Sequence, residues 1–248
     1  MIDLDVYALQ ASDRYVAFLN NLRGQLWTAL RKDPTDMRSR DALFRDVHAL
    51  AVTFLDQERP TLHQAVEEVA QDALQRVALD LGVSVSQKLQ NAFLTDYRDN
   101  IAHFLLQEFM TQLDRDIHQV MRKYEELGLQ VFMERQTSAT PEEAHFRVLM
   151  NANESMSFYF RDRSSRKLNS QKYIRTVVRH ALVTVWTQLY AMEATSYSAS
   201  HLTVEHPDKA KYDGLKLGFV DSQGLPTLMD VKDEIFHPQT KAYLKAHY

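Results

Sequence analysis

The sequence predicts a mainly α-helical protein, in which an elongated helical N-terminal body carries a small C-terminal α+β module. Three observations point there. Glycine occurs six times in 248 residues, against about 7% in average usage, so few positions favour left-handed backbone and long helices are expected. Over the first three-fifths of the chain, apolar residues recur at threes and fours. After about residue 150 the pattern gives way to short β-like runs and polar turns.

Each element follows from local signals. Ser12 and Asp13 are placed to cap a helix with Tyr15, Phe18, Leu19, Leu22, Leu26 and Leu30 on one face, ended by Pro34. Asp36 or Ser39 opens a second helix through Leu43, Val47, Leu50 and Phe54. Pro60 suits the first turn of a third, which runs through Leu62, Val66, Val69, Ala73 and Val77 to Gly82. Short connections suggest that these three form an antiparallel bundle or open hairpins. Ser84 to Leu127 is the longest periodic run. It reads either as one helix of roughly 60 Å or as two, broken near Asp96 to Asn100. Residues 136–141 read as a linker, after which Thr140 caps a short helix beginning Pro141-Glu142-Glu143. The expected division is a helical body over 1–135, a linker and short helix over 136–155, and the α+β module over 156–248.

Within the module, Met156 to Phe160 is β-like, and Arg161 to Arg166 is a polar turn. Asn169 or Ser170 caps a helix through about Ser196 with Tyr173, Val177, Ala181, Val185, Leu189 and Met192 in phase. His201 to Glu205 reads as a short strand, followed by a loop through Asp213-Gly214, then Leu217-Gly218-Phe219-Val220 and a polar end. The aromatics Tyr15, Phe18, Trp27, Phe44, Phe54, Phe93 and Tyr97 follow helical spacing and are expected in the core or at subunit contacts.

Composition removes several function classes. There is no cysteine, which excludes disulfides, iron–sulfur clusters, thiol nucleophiles and cysteine-based zinc sites, and fits folding in a reducing cytoplasm. No glycine-rich phosphate loop exists, which disfavours Rossmann and P-loop folds. The net charge of -4 advertises no global attraction to nucleic acid. No apolar stretch approaches the roughly 20 residues of a membrane span, and the acidic N-terminus does not resemble a signal peptide.

Two groups of residues could carry chemistry. His201, His206, Asp208, Asp213 and His237 could place two or three ligands on a metal. No HExxH-like or paired-carboxylate spacing accompanies them, and surface loop histidines plus a structural His-Pro turn are the favoured explanation. Arg161, Arg163, Arg166, Lys167, Arg175, Arg179 and His180 fall within 20 residues. They could meet phosphates or an acidic protein surface, or simply form a solvated face, with Arg175 placed to cap the carbonyls of a nearby strand. Ser164-Ser165 lie in a polar turn without a nucleophile elbow. No catalytic residue and no cofactor are assigned.

The ordered set from Phe158 to Pro238 resembles the C-terminal region of phage minor capsid proteins, the Mu F-like head morphogenesis family. The resemblance rests on an aromatic strand and polar turn, then Tyr173 opening a helix that contains Arg175-Thr176. A strand ending Glu205-His206-Pro207, then Tyr212-Asp213-Gly214, and finally Phe236-His237-Pro238 complete it. It covers about residues 156–244. Arg163, Arg166 and Arg179 accompany these motif positions as candidate partner contacts. Relatives carry cysteines and a histidine that look like a metal-ligand set. Here the first pair of positions is approximately His206 and Lys209, and Thr240 stands where a cysteine follows His-Pro, so a metal cluster is not expected. Apolar residues (Leu202, Val204, Tyr212, Leu217, Phe219, Val231, Ile235 and Phe236) must then hold the module together.

The resemblance implies a structural protein of a tailed-phage or prophage head. Such a protein would be made in the host cytoplasm and built into the virion head as part of a multi-subunit assembly. Its partners would be the portal and major capsid proteins, with local contact to packaged DNA and no membrane. Two other readings stay open: a metal-dependent hydrolase or toxin-like module, and a cellular helical adaptor.

Overall fold

The computed structural model describes residues 2–84, 92–137, 140–152, 157–161, 165–209, 211–219 and 224–248. The protein is mainly α, with a small α+β C-terminal region. The helices are α1 (Leu4–Leu30), α2 (Met37–Leu81), α3 (Ala92–Glu134), α4 (Pro141–Asn151), α5 (Ser170–Ser196) and α6 (Leu228–Ile235). The strands are β1 (Tyr159–Arg161), β2 (Lys167–Asn169), β3 (His201–Glu205), β4 (Lys216–Leu217) and β5 (Tyr243–His247).

Several elements depart from the sequence-based expectation. Helix α1 starts at Leu4, so Ser12 and Asp13 lie inside it. Asp3 is the cap instead, its carboxylate accepting the Asp5 N–H at 2.9 Å. The second and third expected helices are one, α2, which runs through Pro60. Proline removes the hydrogen bond to the Asp56 carbonyl. Both residues are exposed, so water can take that carbonyl and the helix continues. The fourth helix is continuous from Ala92, with no break at Asp96 to Asn100, and extends past Gly128 to Glu134. Its expected first turns, 85–91, lie outside the described residues.

Other signals hold. Asp36 caps α2, accepting the Arg38 N–H at 3.0 Å. Gly82 ends that helix at φ +64°, with the bonds Gly82 N–H to Leu79 O (3.3 Å) and Val83 N–H to Ala78 O (2.9 Å) forming a Schellman motif. Thr140 caps α4, accepting the Glu143 N–H at 3.1 Å. Asn169 receives the Lys172 N–H at 3.2 Å at the start of α5. The first β-run lies at Tyr159–Arg161, where it pairs antiparallel with β2, a strand the sequence did not announce.

The chain forms two compact units that interleave along the sequence. Unit I comprises 1–11, 59–106 and 175–248, and unit II comprises 12–58 and 107–174. Unit II packs an aromatic core. Tyr15 meets Phe54 and Phe109 edge-on, with centroids 5.8 and 6.0 Å away, and Phe18 lies 4.9 Å from Phe54. Beside it, the buried Asp116 accepts from Tyr15 Oη (2.6 Å), Ser170 Oγ (2.8 Å) and Gln112 Nε2 (3.2 Å). Burial pushes the Asp116 carboxyl above the usual range, although these three bonds oppose the shift. Arg14 closes on the buried Glu58 at 2.5 and 2.9 Å. A Cβ at Gly128 would lie 2.6 Å from the Pro34 carbonyl oxygen, so glycine permits that approach.

Unit I carries the antiparallel sheet β4-β3-β5. Strand β3 alternates half-buried and buried, and Leu202 and Val204 pair with Ala246 and Leu244 on β5. Leu217, Ile235 and Phe236 are buried as expected, whereas Tyr212, Phe219 and Val231 are half-buried. Of the expected face of α5, Ala181, Val185 and Leu189 are buried, Tyr173 and Val177 are half-buried and Met192 is exposed; Ile174, Val178, Leu182, Trp186 and Tyr190 are buried beside them. The Trp186 indole N–H donates to Asp72 at 2.8 Å. The Tyr190 hydroxyl donates to Asp80 at 2.5 Å and accepts the Ala246 N–H at 2.7 Å, which ties β5 to two helices. The expected polar end contains α6 and β5. Trp27 and Tyr97 are half-buried and Phe44 is 48% exposed, so these aromatics are not core; the side chain of Phe93 lies outside the described residues.

Candidate functional site

The motif residues of unit I gather where β3 ends. Val204 N–H donates to Leu215 O and Gly214 N–H to Val204 O, both at 2.8 Å, so the chain returns beside the strand it has just left. Gly214 has φ +76°, a conformation a side chain would strain. Asp213 accepts the His206 N–H at 3.0 Å across this loop.

His206 is 4% exposed. Its Nδ1 accepts the backbone N–H groups of Asp208 (3.3 Å) and Lys209 (3.1 Å). That assigns the ring proton to Nε2, an atom with no partner among the described residues. The imidazole therefore shapes the turn that follows the strand.

His237 follows α6, with its Nδ1 accepting the Gln239 N–H at 3.2 Å. Lys209 Nζ stands 3.4 Å from its Nε2. Partial burial, then the cations Lys209 and Arg179, then His206, hold the His237 pKa below its ordinary value. The next three residues are gripped by Arg179, which is only 11% exposed. Its guanidinium donates to the carbonyls of Pro238 and Thr240, the latter at 2.7 Å, and to Asp5 Oδ1 at 2.8 Å. Carbonyl capping expected of Arg175 is thus performed one turn later. Arg175 itself is half-exposed and lies 3.9 Å from Asp5.

Tyr212 donates to Glu234 and has Lys211 4.7 Å from its ring centre. Its ring lies 6.2 Å from His206. Thr176 is exposed on α5. Tyr173 and Arg166 belong to unit II. The Tyr173 hydroxyl donates to Glu108, and its ring meets Phe160 edge-on at 5.0 Å. Burial first, then Glu108, pushes the Tyr173 phenol up to about 12. Arg166 is exposed, and Arg163 lies outside the described residues.

The candidate metal ligands are drawn into other contacts. His201 stacks on His247 at 4.9 Å, and Asp208 pairs with Lys241 at 3.0 Å. Among the described residues no three histidine, aspartate or glutamate side chains are grouped to hold a metal ion. No described helix is long and apolar enough to cross a membrane. Sequence reasoning missed Asp5, and it placed Thr240 only where relatives carry a cysteine. Both are recruited by Arg179 from opposite ends of the chain. Comparison with family models, with curated proteins and with solved structures finds no match to this chain.

Proposed function

We propose that the chain is a structural minor head protein of a tailed phage or prophage. It acts by binding rather than by bond chemistry, associating with portal or inner capsid in the virion head and assisting head assembly or DNA delivery. The observation that carries this reading is the convergence of separate motif pieces. His206, Asp213-Gly214 and His237-Pro238 gather around one small sheet, joined by hydrogen bonds or close charge contact, with Arg179, which accompanies the motif, holding the Pro238 carbonyl. It supports the part of the resemblance from His206 to Pro238; the aromatic strand and Tyr173, which open the ordered set, belong to unit II.

A second feature supports an assembly role. In unit II, Met37, Leu129, Phe132, Met133, Phe146 and Met150 are all more than half exposed. Large apolar side chains left in water suit a surface covered by partners.

Co-expression with the portal and major capsid proteins of the source genome, with the portal tagged, tests the reading. Recovery of the chain with the portal is expected. A portal recovered free of the chain, while the chain stays soluble and folded, contradicts it.

A further inference from the structure

Unit II holds a groove of about 1000 Å³ lined by arginines and aromatic rings. Its floor is one face of α3, where Arg115, His118 and Arg122 follow each other at helical spacing. One wall is the start of α2, with Arg40 and Phe44, and the other is β1, with Tyr159, Phe160 and Arg161. Gln119 fixes that strand by donating to the Tyr159 carbonyl and accepting the Tyr159 N–H at 3.4 Å.

Four arginines line the groove against two carboxylates, Asp114 and Glu125. The lining therefore carries +2 in a chain whose total is -4. Glu125 is taken by Arg40 at 2.7 Å, and Asp114 faces His118 at 3.4 Å. Arg122 is exposed and makes no hydrogen bond or ion pair among the described residues. Two of the three rings are paired with cations: Arg115 lies 4.7 Å over Phe160 and Lys167 lies 3.7 Å over Tyr159. Phe44 is 48% exposed, with its ring 4.2 Å from that of His48.

We infer that this groove binds single-stranded nucleic acid, with the arginines on phosphates and the ring and guanidinium faces stacking on bases. Cations alone would suit any polyanion. The interleaved rings favour a ligand that offers flat π-faces as well as charge. A duplex keeps those faces in its own stack, whereas a single strand presents them. The inference does not depend on the head-protein reading, because the purified chain can bind a strand whether or not it enters heads.

Fluorescence anisotropy with labelled oligo-dT and oligo-rU of about 20 nucleotides tests it. The wild-type chain is expected to bind at low salt and to weaken as salt rises. Arg122→Gln is expected to weaken binding by about fivefold and to reduce the slope of log K against log salt by about 0.7. Phe44→Ala should weaken binding with the slope unchanged. Arg31→Gln, an exposed arginine of the same unit outside the groove, should match wild type. Preference for either oligonucleotide identifies the strand as DNA or RNA and supports the inference. No binding, tighter binding to the corresponding duplex or to an oligo-glutamate peptide, or an Arg122→Gln variant equal to Arg31→Gln overturns it. Circular dichroism confirms that each variant is folded.

Discussion

Arg179 reaches Asp5 across 174 residues of sequence, its Nε–H donating to the carboxylate at 2.8 Å. The same guanidinium takes the carbonyls of Pro238 and Thr240, so one side chain on α5 secures both the start of α1 and the approach to β5. In the resemblance, cysteines and a histidine look like metal ligands in this region. Here an arginine fork supplies directional bonds to the segment after His237.

Arg179→Met should therefore cost more than the loss of its ion pair. It removes hydrogen bonds from a charged donor to two carbonyls, for an expected loss of about 2–3 kcal/mol in urea unfolding. Asp5→Asn should cost about 0.5–1 kcal/mol, because Asp5 is half-exposed and the carbonyl bonds survive. The reverse order would show that the ion pair, not the carbonyl grip, dominates.

Tyr190→Phe leaves the Ala246 N–H and Asp80 without the hydroxyl between them. A loss of about 1–3 kcal/mol is expected. Hydrogen exchange at the Ala246 amide should accelerate more than at amides of α3. Unchanged protection at Ala246 would refute this role for the hydroxyl.

Asp116 gives a pH signature. Its folded pKa lies above its unfolded value because burial disfavours the charge. The folded state then binds more protons than the unfolded state as pH rises from the ordinary carboxylate range, so this residue's contribution to stability falls with rising pH. The stability advantage of wild type over Asp116→Asn should narrow as pH rises through and above the ordinary carboxylate range. A gap that widens with pH would mean that the bonds from Tyr15, Ser170 and Gln112 outweigh desolvation.

Two glycine substitutions should act in opposite directions. Gly214→Ala meets a positive φ and should destabilise by about 1 kcal/mol. Gly24→Ala adds a methyl inside α1 where nothing lies within 4 Å, and should stabilise by up to about 1 kcal/mol. Thermal unfolding of both variants checks the pair.

The helices were legible because their apolar spacing, caps and the Gly82 stop are local signals. What failed was equally physical. Pro60 suits a helix start, but on an exposed face water can replace the one lost bond and α2 runs on. Ser12 looked like a cap and instead sits buried inside α1. Strand β5 looks like a polar end in the sequence because Leu244 and Ala246 alternate with half-buried residues, the weak period of a short strand paired on one side only. Around the site, His206, Asp213, Gly214 and His237 could be named from their motifs. The partners of Arg179 could not, since Asp5 and Thr240 are brought to it only by the fold. The Arg-rich turn was visible, but its continuation through Arg40, Arg115 and Arg122 required α2 and α3 to be placed beside β1.

The head-protein reading is tested most directly by quantitative mass spectrometry of heads purified from the source phage or induced prophage. A low copy number per portal-bearing particle, reproducible between preparations, is the result expected. Heads that contain portal and major capsid protein but none of this chain, while it accumulates in the same lysate, would contradict it.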